Sequence, residues 1–253
     1  MVQKKTYFIT DAHLGARVFD NRYTHEQKFV RWLDMAKQDA DAIYMLGDMF
    51  DFWFEYRATV PKGFCRSLGK MAELADAGIE MHYFTGNHDV WTFGYLENEI
   101  GLKVHRRPTT FDIHGKRFFL AHGDGLNDKS RGFSLIRAIF HSKTCQWLFR
   151  TLIPPVIGLN FGYKWSESNR KKHLNNHECE YKGENNEPLV LFAKQHKNTA
   201  PDIDYYLFGH RHILLHLQLD NSTQLAILGD FMQQFSYATF DGDNFEIHYF
   251  EAE

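Results

Sequence analysis

Short apolar runs recur along the chain, separated by amphipathic stretches, and most of them end in a knot of polar residues. Residues 4 to 10 read as a first strand. Thr24 to Asp39 carries Phe29, Trp32, Leu33 and Ala36 at helical spacing, which predicts an amphipathic helix. Asp41 to Leu46 predicts a second, buried strand, Phe64 to Ala77 a helix stopped by Gly78, and Ile79 to Phe84 a third strand. This alternation of strand and helix predicts a mainly parallel central sheet. From Thr109 the period becomes strand-like, with Thr109–Ile113 and Lys116–Ala121 as a hairpin about His114-Gly115. Glu187 to Lys197 predicts a helix with Pro188 in its first turn, followed by strands at Ile203–Phe208, Leu214–Leu219 and Leu225–Leu228. A terminal pair of strands is expected around Asp241-Gly242-Asp243-Asn244. The result is an α/β fold with two sheet layers flanked by helices.

One stretch breaks the pattern. Residues 125–187 read as a largely helical insertion, a cap set into a core of residues 1–124 and 188–253. It holds Leu135, Ile136, Ile139, Phe140, Trp147, Leu148, Phe149 and Leu152 among basic residues, and Pro154-Pro155 interrupts it. Charge sharpens this picture. From Lys129 to His173 nine Lys or Arg face one acid, Glu167, so the stretch carries +8 while the net charge of -3 leaves -11 for the remainder.

Chemistry gathers where the apolar runs stop, the place α/β folds put it. Five run ends carry ligand types: Asp11-Ala12-His13, Gly47-Asp48, Gly86-Asn87-His88-Asp89, His122-Gly123-Asp124 and Gly209-His210-Arg211-His212. Mixed imidazole and carboxylate sets suit Mn, Fe or Zn, whereas an all-oxygen set suits Mg or Ca. Asp11, His13, Asp48, Asn87, His122, His210 and His212 are more ligands than one ion takes, which predicts two divalent ions sharing Asp48. Such a pair activates water and clamps a phosphoryl group for in-line attack. His88, beside Asn87, is the candidate to stabilise the transition state or protonate the leaving oxygen, with Asp51 to orient it.

These blocks, in this order, resemble the five-block signature of the calcineurin-like metallophosphoesterases, and they span residues 11 to 212. The resemblance implies a four-layer β-sandwich flanked by helices. It further implies that Asp11, His13, Asp48 and His212 hold one ion, and Asp48, Asn87, His122 and His210 the other. Within that family the Asp-Ala-His-Leu-Gly opening, the Gly-Asp-Met-Phe-Asp block and the helical insertion resemble the UDP-2,3-diacylglucosamine hydrolases of lipid A synthesis. Members of that group release UMP and an acylated sugar 1-phosphate. Mn is the expected metal, with Fe or Zn as alternatives. The resemblance also points to Asn87, His88, Ser166, Asn169, Arg170, Lys172 and His210 as substrate contacts. The chain departs from the better-known members at His88, where they carry Arg. A His there is the general family pattern, and it leaves open hydrolysis of another nucleotide or small phosphoester.

A doubly acylated nucleotide sugar needs apolar shelter and positive charge, and the insertion offers both. Peripheral attachment to the inner face of the cytoplasmic membrane is therefore expected. The chain opens Met1-Val2-Gln3-Lys4-Lys5 directly into a strand, predicting no signal peptide. No apolar run approaches the roughly 18 residues of a membrane-spanning helix. Three widely spaced cysteines fit a reducing compartment. The aromatics lie in an apolar stripe rather than between basic residues, so no nucleic-acid partner is expected, and nothing predicts an obligate protein partner. Against these readings stand plainer ones. Leu135, Ile136, Ile139 and Phe140 could serve only to dock the insertion, and Gly15, Gly47, Gly86 and Gly209 could be turn residues and no more.

Overall fold

The computed structural model describes residues 4–19, 21–127, 131–175 and 180–251; at 131, 133, 134, 136 and 169–175 it describes the backbone alone. In chain order the elements are β1 (Lys5–Ile9), α1 (Arg22–Ala36), β2 (Ala40–Met45), α2 (Cys65–Asp76), β3 (Glu80–Phe84), α3 (Tyr95–Asn98), β4 (Lys103–His105), β5 (Thr109–Ile113) and β6 (Lys116–Ala121). There follow α4 (Arg131–His141), α5 (Lys143–Leu152), α6 (Pro155–Asn175), α7 (Pro188–Lys197), β7 (Tyr205–Phe208), β8 (Leu214–Gln218), β9 (Gln224–Leu228), β10 (Ser236–Phe240) and β11 (Phe245–Tyr249).

The strands form two sheets. The first runs β11-β10-β1-β2-β3-β4 and the second β5-β6-β7-β9-β8. Pairing is parallel from β1 through β4, and again from β6 through β7 to β9, with antiparallel strands at the margins. The parallel strands are continuous apolar runs because both of their faces are covered. In β1, Phe8 points between the sheets, while Tyr7 and Ile9 point to the outer layer with Phe29 and Trp32 of α1 and Met71 of α2. In β7 the alternation repeats: Tyr205 and Leu207 face the inter-sheet core with Phe118 and Phe240, whereas Tyr206 and Phe208 meet Leu189, Val190 and Ala193 of α7. Helices, sheet, sheet and helix make four layers.

Two short elements, β4 and α3, lie outside the predicted set; at three and four residues they are too brief to show a period. The hairpin of β5 and β6 falls on the predicted residues. α4, α5 and α6 occupy the chain between β6 and α7 and dock through aromatics. Phe140, Phe149, Leu159 and Tyr163 pack on Phe52, Phe54, Tyr56 and Trp91. Docking uses only part of the apolar surface, since Leu135, Ile139, Trp147, Leu152, Val156, Ile157 and Phe161 are exposed. Of the cysteines, Cys65 and Cys145 are free, and Cys179 lies outside the described residues.

Candidate metal centre

The loops following β1, β2, β3, β6 and β7 meet at one rim and are laced together by backbone hydrogen bonds. Asp11 N donates to Gly47 O, His13 N to Asp48 O, Asp51 N to Leu14 O, and Gly209 N to His122 O. These turns demand unusual torsions. Asp11, His13, Asp48, His210 and His212 all have positive φ, between 43° and 67°. A non-glycine residue held there costs on the order of 1–3 kcal/mol and persists only where its surroundings over-determine it. Small residues are also required. A Cβ on Gly47 would stand 2.7 Å from His122 Nδ1. One on Gly86 would collide with Asp48 Oδ1, and one on Gly209 with Thr10 Oγ1. Gly47 (φ 93°) is thus both a turn residue and a contact surface.

Each central carboxylate divides its work. Asp11 Oδ2 accepts from Thr10 Oγ1 (2.6 Å) and His210 N (2.8 Å), which leaves Oδ1 facing His212 Nε2 at 3.4 Å and His13 Nε2 at 3.6 Å. Asp48 Oδ1 accepts from His88 N (2.8 Å), while Oδ2 faces His122 Nε2 at 3.2 Å and His13 Nε2 at 4.0 Å. The imidazoles are fixed in the same manner. His122 Nδ1 donates to Leu46 O and His212 Nδ1 to Asp230 Oδ2, so Nε2 of each presents its lone pair to the cluster.

Two groups result, Asp11 with His13 and His212, and Asp48 with His122 and His210; within each, one ligand atom per residue lies within 4.8 Å of the others. Asp48 Oδ2 stands between them. Asn87 lies on the loop that wraps Asp48. Asp11 Oδ1, both ring nitrogens of His13, Asn87 Oδ1 and His122 Nε2 are buried with no hydrogen-bond partner. Buried polar atoms are rarely left so. Orphaned acceptors on Asp11, Asn87 and His122, with one lone pair of the His13 ring, mark a site suited to cations, and the residues present fit a pair of divalent ions.

The electrostatics agree. Burial works to raise Asp48, but His122, His88 and His13 outweigh it and hold the carboxyl well below its usual range. Asp11 is likewise lowered despite its burial, chiefly by His212 and His13. Burial opposes a proton on His13, yet Asp11 and Asp51 lift it to about 10, and Asp48 lifts His122. The pull of these carboxylates on their neighbours is the pull a cation would feel. His210 falls to about 4, because desolvation and the neighbouring His122 outweigh the pull of Asp124, Asp48 and Asp11.

A third group, His13, Asp51 and His88, adjoins the first two. His88 Nδ1 donates to the backbone carbonyl of Asp51 (2.8 Å), which aims Nε2 at the cluster, 4.0 Å from Asp48 Oδ2. The expected link between these two residues is therefore made by the main chain. The Asp51 carboxylate instead faces His13 Nδ1 at 3.6 Å and accepts from Ser166 Oγ of α6 at 2.8 Å. Trp165 lies against His88 with ring centroids 5.9 Å apart. Asn169, Arg170 and Lys172 have their backbone in α6; their side chains lie outside the described ones.

Several supporting residues carry roles that the sequence does not announce. Asp89 accepts from Met49 N, Gly86 N and Tyr83 Oη, clamping two loops together. Arg211 pairs with the buried Glu187 at the start of α7 and so anchors the turn between His210 and His212. Asp230 accepts from His212 and from three backbone amides, those of Met232, Gln233 and Gln234. A signal for Asp230 did exist: Gly229-Asp230 ends the run Leu225–Leu228 just as Gly47-Asp48 ends its own.

Two spaces lie against α6. An apolar cavity of about 140 Å³ beneath α4, α5 and α6 is walled by Phe52, Trp91, Phe140, Phe149 and Trp165. A larger cleft of about 870 Å³ runs from Gly15 and Arg22 past Phe64 to Tyr163 of α6.

The sequence matches the family model described as Calcineurin-like phosphoesterase over residues 4–214. It is 40% identical over 250 residues to a UDP-2,3-diacylglucosamine hydrolase from Porphyromonas gingivalis, covering 95% of each chain. A protein of the same name from Vibrio atlanticus is 27% identical over 247 residues, covering 96% of both. Among solved structures, Vacuolar Protein Sorting 29 from Cryptosporidium parvum aligns with 97% of this chain and 96% of its own at 11% identity and a TM-score of 0.47.

Proposed function

The chain belongs to the calcineurin-like phosphoesterase family, and from that premise we propose that it hydrolyses the pyrophosphate of UDP-2,3-diacylglucosamine, giving UMP and 2,3-diacylglucosamine 1-phosphate. One observation supports this above others: the insertion is bonded to the cluster itself. Ser166 Oγ reaches Asp51, and Trp165 lies on His88 while also walling the apolar cavity. An acyl chain entering that cavity gains about 0.8 kcal/mol per methylene buried, and its sugar phosphate is then delivered to the rim. On this reading residues 125–187 form a cap over a core made of residues 1–124 and 188–253.

Asp11, His13, Asp48 and His212 would hold one divalent ion, and Asp48, Asn87, His122 and His210 the other. Bound there, such ions would supply a water of lowered pKa and positive charge against the phosphoryl oxygens. Manganese is the expected occupant, with iron or zinc as alternatives, and elemental analysis of purified protein decides among them. Water adds to one phosphorus as its bond to the bridging oxygen breaks, and that oxygen leaves with the acylated sugar phosphate. His88 Nε2, held toward the cluster by the Asp51 carbonyl, is placed to share a proton with a substrate oxygen. Burial lowers its pKa, while the Asp48 carboxylate opposes the shift. Asn87 and Ser166, with Asn169, Arg170, Lys172 and His210, are the proposed substrate contacts.

We place the protein at the inner face of the cytoplasmic membrane, bound peripherally through the exposed apolar and basic residues of α5 and α6. No helix among the described residues is long and apolar enough to cross a membrane. The deciding experiment offers detergent-dispersed UDP-2,3-diacylglucosamine beside a soluble chromogenic phosphodiester. Release of UMP from the first supports the assignment; turnover of the diester alone would remove it.

A further inference from the structure

A pyrophosphate joining a nucleoside to an acylated sugar has two unlike halves, and both must leave the same cluster. α4 separates two unlike environments beside that cluster. Ile139 and Phe140 line the apolar cavity. Arg137 and His141, four residues apart and hence on one face, line a groove on the other side with Arg106 and Arg107 from the end of β4. The floor of this groove includes Gly86 and the metal-facing His122. We propose that the groove receives the nucleoside monophosphate half of the substrate, with Arg107 as its principal cation; the proposal rests on the substrate reading above.

Charge and shape both support it. The groove encloses only about 30 Å³, so its floor takes the phosphate end and the nucleoside lies along the open mouth. Three arginines face a single acid, Asp124, and that acid is engaged by Arg137 Nε at 3.2 Å. Arg106 is held by Glu97 and by the carbonyl of Thr92. The Arg107 side chain is exposed, with no carboxylate of the described residues paired to it. A guanidinium so placed can take two phosphate oxygens at once. The larger cleft near Arg17 and Arg22 is a weaker candidate, because those guanidinium groups already lie over the rings of Tyr163 and Tyr23.

The test uses the metal-loaded full chain with a chromogenic diester as reporter, and compares UMP inhibition in Arg107→Ala with that in Arg22→Ala, which removes an equal charge outside the groove. In Arg107→Ala the UMP inhibition constant is expected to rise about tenfold, as for loss of a charge-assisted hydrogen bond, and further in Arg107→Glu, while Arg22→Ala leaves it near that of the unsubstituted chain. The KM for UDP-2,3-diacylglucosamine rises with it in Arg107→Ala. Equal weakening of UMP in the two variants would reveal only a long-range charge effect and overturn the proposal. So would a loss of UMP inhibition confined to Arg22→Ala. If the enzyme leaves UDP-2,3-diacylglucosamine intact while UMP inhibition still depends on Arg107, the groove stands as a nucleotide site and the substrate reading falls.

Discussion

Three features hold His212 where a candidate metal ligand is needed. A left-handed backbone turns it inward, Arg211 beside it is tied to Glu187, and Asp230 fixes its tautomer through Nδ1. Loss of such a partner weakens metal affinity by about 10–100-fold. That is the loss expected of Asp230→Asn in a chelator titration. His88→Ala is expected to behave in the opposite way, lowering turnover by about 10²–10⁴-fold while elemental analysis finds the metal content retained. Gly47→Ala forces a methyl group against His122 Nδ1, and its expected signature is a lower melting temperature together with metal loss. The residues of the candidate metal site were legible from the sequence because every one of them follows an apolar run. Asp51 was not fully legible, since its bond to His88 is made by a backbone carbonyl, and a carbonyl leaves no trace in residue identity.

At the scale of elements, the long periodic segments announced themselves, whereas β4 did not. Yet β4 carries a buried device. His105 accepts or donates one hydrogen bond with His82 of β3 (3.0 Å), whose other nitrogen meets Glu80, and the pair lies among Tyr44, Phe84 and Phe111. Burial, then His82 and Lys103, push His105 down to about 4, and His82 is lowered as well. A histidine lowered in the folded state takes up protons more readily when unfolded. Its contribution is therefore full above the ordinary value of 6.5 and is lost as pH falls toward about 4. Urea midpoints measured near neutrality and at about pH 5 are expected to differ, and His105→Phe is expected to narrow the difference. α6 allows a second check at this scale. Trp165→Ala opens the wall of the apolar cavity, and KM for the acylated substrate is expected to rise about tenfold or more, as for an aromatic anchor, with a smaller effect on the soluble diester.

Across the whole molecule charge is segregated, +8 in the stretch from residue 129 to 173 against -11 elsewhere. Exposed Trp147, Leu152, Val156, Ile157 and Phe161 lie within the same stretch. The protein is expected to co-sediment with vesicles containing anionic lipid, more weakly as salt is raised, and Phe161→Glu is expected to reduce that binding. The sandwich itself was legible because apolar runs covered on both faces imply layers on both sides. How the insertion sits was not, since Phe140 and Ile139 look alike in sequence although the first is half-buried and the second exposed. The left-handed torsions at Asp11, His13, Asp48, His210 and His212 carry a consequence for descent. A lineage that abandoned its chemistry would still inherit the bends. Asn or Gly could settle at those five places at little cost, while valine or isoleucine would have to unmake the loops. A retired enzyme of this architecture would thus bear its history in the choice of residues that replaced its ligands.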